Sequence, residues 1–235
     1  MSFRPRFRLS LLFILAALVA GVSVWLRQAV VRDRNIRQLL AEDWVDGRIV
    51  KRDHKHAVQL NTKFLNLFSK DSDYCDNIDR LFIYSDLVDP EASRRKYEDL
   101  NLGGSLALLL FRPSDRKDGG PRAENHELPL SQICFWLERF PKVELLGITE
   151  ETIIADPLIN PSSNGSVEDL LIEDCHFDTA TLKNFLGQLS PLPKNIVLAK
   201  NRIRGKAADL GGRAFPILRL DTIEKSNTFV DQAPE

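Results

Sequence analysis

An eleven-residue pattern of apolar positions returns along the chain in one register: Ile78, Leu81, Ile83, Val88; then Val143, Leu146, Ile148, Ile153; then Val167, Leu170, Ile172, Phe177. Each unit reads apolar, two variable, apolar, one variable, apolar, two variable, Asn or Cys, one variable, apolar. The close apolar pair at the centre has the period-two spacing of a strand with one face buried. The unit from Val167 fills every position, with Cys175 at the Asn/Cys place; the next has Ile196, Leu198, Asn201 and Ile203, with Pro193 first. A last unit reads Phe215, Leu218, Leu220 and then fades. Asp86 and Glu151 stand at the Asn/Cys position of two units, and the run from Leu106 to Phe111 is strand-like, matching the template at Leu108 and Leu110.

Between these strands the spacing changes to that of helices: Leu130, Ile133, Leu137 and Phe140 in one stretch, Leu182, Phe185, Leu186 and Leu189 in another. Asp178 or Thr179 can cap the second, and Pro191 follows its end. Alternating strands and helices predict an α/β domain with a parallel sheet. Residues 113–129, with Asp118-Gly119-Gly120-Pro121 at the centre, read as an exposed insertion. A further amphipathic helix is expected over 55–69, built on Val58, Leu60, Phe64, Leu65 and Phe68.

At the N-terminus the pattern is different in kind. Residues 9–26 contain no charged side chain, and eighteen helical residues span about 27 Å, close to the roughly 30 Å hydrocarbon thickness of a bilayer. Arg4, Arg6 and Arg8 precede the run, and Trp25 and Arg27 suit its far interface. A cleaved signal peptide would have a shorter apolar core and a small-residue site, for which Val19-Ala20-Gly21 or Gly21-Val22-Ser23 are the candidates. The reading taken is an uncleaved anchor with a cytoplasmic N-terminus and an exported domain, although Arg27, Arg32, Arg34 and Arg37 follow the span. The expected organisation is a basic tail over 1–8, an anchor over 9–26, a helical stalk over 27–52 ended by the turn chemistry of Trp44-Val45-Asp46-Gly47, a folded domain over 53–224 and a disordered tail over 225–235.

Charge adds an asymmetry. Of 32 Lys and Arg and 33 Asp and Glu, residues 1–37 hold seven basic and one acidic, which leaves 25 basic against 32 acidic residues, a net of about −7, for the rest. An acidic folded part argues against nucleic acid as a partner, because phosphate neutralisation supplies most of that affinity. Three cysteines, Cys75, Cys134 and Cys175, make no disulfide framework.

The repeated pattern resembles the leucine-rich-repeat family, over roughly residues 78–223 and in degenerate form. The steps from Leu146 to Leu170, Ile196 and Leu218 are 24, 26 and 22 residues, within the family's usual period. The resemblance implies a short solenoid of about five irregular repeats, each a strand plus a helix, with the Asn or Cys buried just after the strand.

No motif supplies an active site. Asp174-Cys175-His176-Phe177-Asp178 crowds a thiol, an imidazole and two carboxylates, yet the register turns Cys175 inward as a small hydrophobe and His176 outward. His54, His56, His126 and His176 lack metal-ligand spacing. Glu150, Glu151 and Asp156 read as solvated charges in a turn; Gly103-Gly104 and Gly211-Gly212 are turns; Asn164-Gly165-Ser166 is a chance-level sequon. No metal, cofactor or catalytic residue is expected. The residues alternating with the inward ones give a face instead: a middle row of Phe82, Leu109, Gly147, Leu171, Val197 and Arg219, flanked by polar positions that include Tyr84, Thr149, Asp169, Glu173, Asn195 and Asp221. The expected partner-binding residues are Phe82, Tyr84, Leu109, Leu171, Glu173, Val197 and Arg219, on a membrane-anchored module that binds a protein. The alternatives are a structural envelope protein with no specific ligand, and a small anchored α/β enzyme, which lacks Gly-x-Ser-x-Gly. A stripe covered internally, by the N-terminal segment or by helices on both faces of an ordinary parallel sheet, is the competing reading of the face.

Overall fold

A computed structural model describes residues 9–48, 78–98, 102, 105–114, 126–140, 142–156, 165–210 and 224–230. These divide into two compact units, residues 9–37 and residues 38–48 with 78–230. The first consists of most of α1 (Leu9–Leu40). Leu12, Phe13, Ile14, Leu15, Leu18 and Val19 are all exposed on it. This helix is long and apolar enough to cross a membrane.

The second unit is α/β. Its larger sheet has six strands in the order β1-β2-β3-β5-β7-β9, where β1 is Val45–Arg48, β2 Arg80–Tyr84, β3 Ser105–Arg112, β5 Lys142–Thr149, β7 Ser166–Glu173 and β9 Asn195–Ala199. All neighbours are parallel except β1, which runs antiparallel to β2. A second sheet of three-residue strands has the order β11-β10-β8-β6-β4: β4 Glu127–Pro129, β6 Thr152–Ile154, β8 His176–Asp178, β10 Arg202–Arg204 and β11 Thr228–Val230. Among the described residues this unit has three helices of eight or more residues, α2 (Pro90–Tyr97), α3 (Leu130–Arg139) and α4 (Thr179–Gln188), and a single turn, α5 (Ala207–Leu210), follows β10.

The expected alternation explains the core. Leu81, Leu109, Leu146 and Leu170 are paired across β2, β3, β5 and β7 and all are buried, as are Ile83, Phe111, Ile148 and Ile172 one step on. Leu128, Ile153, Phe177 and Ile203 turn inward from the short strands, and Leu130, Ile133, Leu137, Leu182, Phe185 and Leu186 from the helices. Each such side chain contributes about 1.5–3 kcal/mol by leaving water. Asp178 caps α4 by accepting from the Thr181 amide at 2.5 Å, and Asp89 caps α2 through Glu91 and Ala92.

Two expectations change. Residues 45–48, read as turn and stalk, form β1. Gly47 lies against the Leu40 side chain, which a Cβ there would displace. Residues 228–230, assigned to a disordered tail, form β11 beside β10. The helix expected over 55–69 lies outside the described residues.

Candidate functional site

Side chains on the outward face of the larger sheet form three rows. The middle one is Phe82, Leu110, Gly147, Leu171, Val197, each paired in register with the next. Val197 is 50 % exposed, and Phe82, Leu110 and Leu171 are half-buried. Gly147 makes a notch that Leu110 occupies, since a Cβ there would lie 2.5 Å from Leu110 Cδ1. At one end the Arg112 guanidinium lies 5.7 Å from the centre of the Phe82 ring and 5.4 Å from that of Tyr84, and donates to the Tyr84 hydroxyl at 3.3 Å. At the other end the polar positions are tied strand to strand: Lys200 Nζ donates to Glu173 at 2.7 Å and Asn195 Nδ2 to Asp169 at 2.8 Å.

Leu109 does not belong to this face. It is fully buried, paired with Leu81 and Leu146, and Leu110 takes the place expected for it. The expected register of β3 was off by one residue, which exchanges the two faces of a strand. In the run Leu106 to Phe111 every residue is apolar, so alternation gave no signal; the correct frame is Leu106, Leu109, Phe111. Phe82, Tyr84, Leu171, Glu173 and Val197 stand where expected, Leu110 and Arg112 join them, and Arg219 lies outside the described residues.

Where each long strand turns into its short one, the chain repeats a corner. Glu150, Asp174 and Lys200 have φ of 60°, 56° and 57°, and their amides donate to the carbonyls of Glu173, Ala199 and Ser226. The next residues, Glu151, Cys175 and Asn201, are buried. Asn201 Oδ1 accepts the Cys175 amide at 2.8 Å while Nδ2 donates to the Ile172 carbonyl at 2.9 Å. Asn227 repeats this one unit later, accepting the Asn201 amide and donating to the Leu198 carbonyl, both at 2.9 Å. Main-chain bonds march in parallel: the amides of Thr152, His176, Arg202 and Thr228 donate to the carbonyls of His126, Glu151, Cys175 and Asn201. His126 is thus the corner of the β3 unit, reached after the insertion.

Glu151 was expected on the surface and is instead sealed in the corner. Ser85 Oγ donates to its Oε1, and His126 Nδ1 lies 3.3 Å from Oε2. Burial pushes the carboxyl up to about 7, against the pull of the Ser85 and His126 hydrogen bonds and with a small upward push from Asp86. A hydroxyl, a carboxylate and an imidazole converge here, but Ser85 is fully buried and faces the carboxylate rather than the imidazole. That is not a nucleophile-and-base arrangement. The Cys175 thiol, pushed up to about 12 by burial, is held between the carbonyls of Ile148 and Glu173, and His176 points outward. Among the described residues, no three His, Cys, Asp or Glu side chains are placed to hold a metal ion.

Comparison of the chain with family models, curated proteins and solved structures gave no match.

Proposed function

We propose that this protein is a membrane-held interaction module: a short, irregular leucine-rich-repeat-like solenoid that grips a protein partner with the outward face of its six-stranded sheet. The observation that carries the reading is the in-register row Phe82, Leu110, Leu171, Val197, an apolar band with Arg112 and Tyr84 at one end and Glu173 at the other. An apolar centre with a polar rim, anchored by aromatic and arginine side chains, is the composition of a recognition surface. The solenoid reading is supported by the strand, left-handed corner and short strand that recur with corners at Glu151, Cys175 and Asn201, 24 and 26 residues apart, with helical residues after the short strands that follow the last two. The membrane reading rests on α1, with the uncleaved helix as anchor and the domain on the exported side. Turnover of a substrate is not part of the proposal.

The test is chemical crosslinking in native membranes, followed by purification of the captured partner and direct titration against wild type and Leu171→Asp plus Val197→Asp. Both positions are at least partly exposed, so the variant keeps its far-UV spectrum and melting temperature. At least a tenfold loss of affinity in the variant supports the face; unchanged affinity with the fold intact refutes it.

A further inference from the structure

The second sheet presents an outward face that the proposed function does not use. The middle residue of β4, β6, β8 and β10 turns inward, and outward residues of these strands, from Glu127 on β4 to Arg202 and Arg204 on β10, line an open groove of about 470 Å³. Its basic end is built by register: Arg202 pairs with His176 on β8, and Arg204 with Asp178. Arg204 and Asp178 are neighbours in register without being within ion-pair distance; the half-buried Asp178 accepts the Thr181 amide through Oδ1 and adds one carboxylate to the groove. Among the described residues, neither guanidinium has a carboxylate within ion-pair distance, and Glu127 lies three strands away, about 14 Å at ordinary strand spacing. Two exposed guanidiniums and an imidazole therefore gather on a domain whose net charge is otherwise acidic. The groove also has apolar wall in the half-buried Ile154 and Val230.

We infer that this groove is a binding site for a soluble phosphate monoester with a small apolar body. Arg202 and Arg204 lie two residues apart on one face of a strand, about 7 Å, and each offers the forked donors that suit a tetrahedral oxyanion. Two guanidiniums match a dianionic phosphate better than a single carboxylate, and the His176 ring adds a hydrogen-bonding group on the neighbouring strand. The ester's apolar body covers Val230 and Ile154, while Glu127 at the far end disfavours anions longer than the basic end.

The experiment is calorimetric titration of phenyl phosphate into the detergent-solubilised full chain, with inorganic phosphate in parallel. Saturable one-to-one binding is expected, stronger for phenyl phosphate than for inorganic phosphate. It weakens at least tenfold in Arg202→Gln plus Arg204→Gln, recovers in part in Arg202→Lys plus Arg204→Lys, and is untouched by Arg80→Gln on the other sheet. Both arginines are exposed, so the variants retain the wild-type melting temperature. The inference is overturned by no saturable binding up to about 10 mM, or by binding that the double Gln variant leaves unchanged. A failure here leaves the proposal for the larger sheet intact, because the two faces share no residue.

Discussion

At the corners before β10 and β11, Asn201 and Asn227 stitch neighbouring units together with one chemistry; at the corner after β5, Glu151 does so with another. An asparagine amide carries a donor and an acceptor on one short side chain, so Asn201 satisfies the Cys175 amide and the Ile172 carbonyl at once. A carboxylate has acceptors only. Glu151 therefore needs donors brought to it, and they come from distant parts of the chain: Ser85, 66 residues away, and His126, 25 away. The difference teaches that one end of the corner row is modular and insensitive to pH, whereas the other is assembled from loops and titrates.

The comparison is broken most severely at Asn201. Asn201→Ala takes away the side-chain partner of the buried Cys175 amide and of the Ile172 carbonyl and the Nδ2 bond to Asn227, while the main-chain amide of residue 201 still donates to Asn227, a loss of roughly 3 kcal/mol, read as a lower denaturant midpoint in chemical unfolding. The pH behaviour of Glu151 comes next. Its carboxyl titrates at about 7 in the fold against 4.5 unperturbed, so the folded state binds its proton more tightly. The resulting stabilisation is complete below about pH 4.5 and is lost as pH rises through about 7, at most about 3 kcal/mol in all. Melting temperature measured from pH 5 to 8 is expected to fall for wild type from this group. Glu151→Gln, which keeps the shape without the charge, flattens that slope; a variant with the wild-type slope would show that the carboxyl is not its source. Smaller still is the left-handed residue before each corner. Lys200 carries the steric cost of φ 57°, so Lys200→Gly stabilises by roughly 0.5–1 kcal/mol in equilibrium unfolding, while Asp174→Gly gains less because aspartate tolerates that conformation better.

How much of this was legible in the sequence depends on what breaks the pattern locally. In β5 and β7 apolar and variable positions alternate, so Leu146, Ile148, Leu170 and Ile172 declared their face; Cys175 and Asn201 followed from their place after the strand. In β3 the uninterrupted apolar run concealed which residues face inward, and only the neighbouring strands, through pairing with Leu81 and Leu146, select Leu109. Glu151 looked solvated because a charge is usually so, and its partners are too distant in sequence to suggest otherwise. The corner at His126 was hidden by the insertion. Asn227 had a signal that went unused: Asn227, Thr228, Phe229 repeats the Asn, variable, apolar order of Asn201, Arg202, Ile203, but it falls after the apolar residues had faded. The outward arginines of β10 carry no sequence motif, since only the sheet order sets them beside His176.

The antiparallel strand β1 has a mechanical consequence. Chain order places its four residues ahead of every other strand, and just before them Leu39 is buried, Glu42 accepts from the Tyr97 hydroxyl at 2.6 Å and the Trp44 ring lies 5.8 Å from that of Trp136, so tension entering along the chain meets these contacts and then β1. It is held to the sheet along one short ladder with β2, and peeling it away leaves the parallel strands β2 to β9 paired with one another. Under load these contacts and β1 yield before the parallel strands part, so the outward face of the larger sheet is disturbed last.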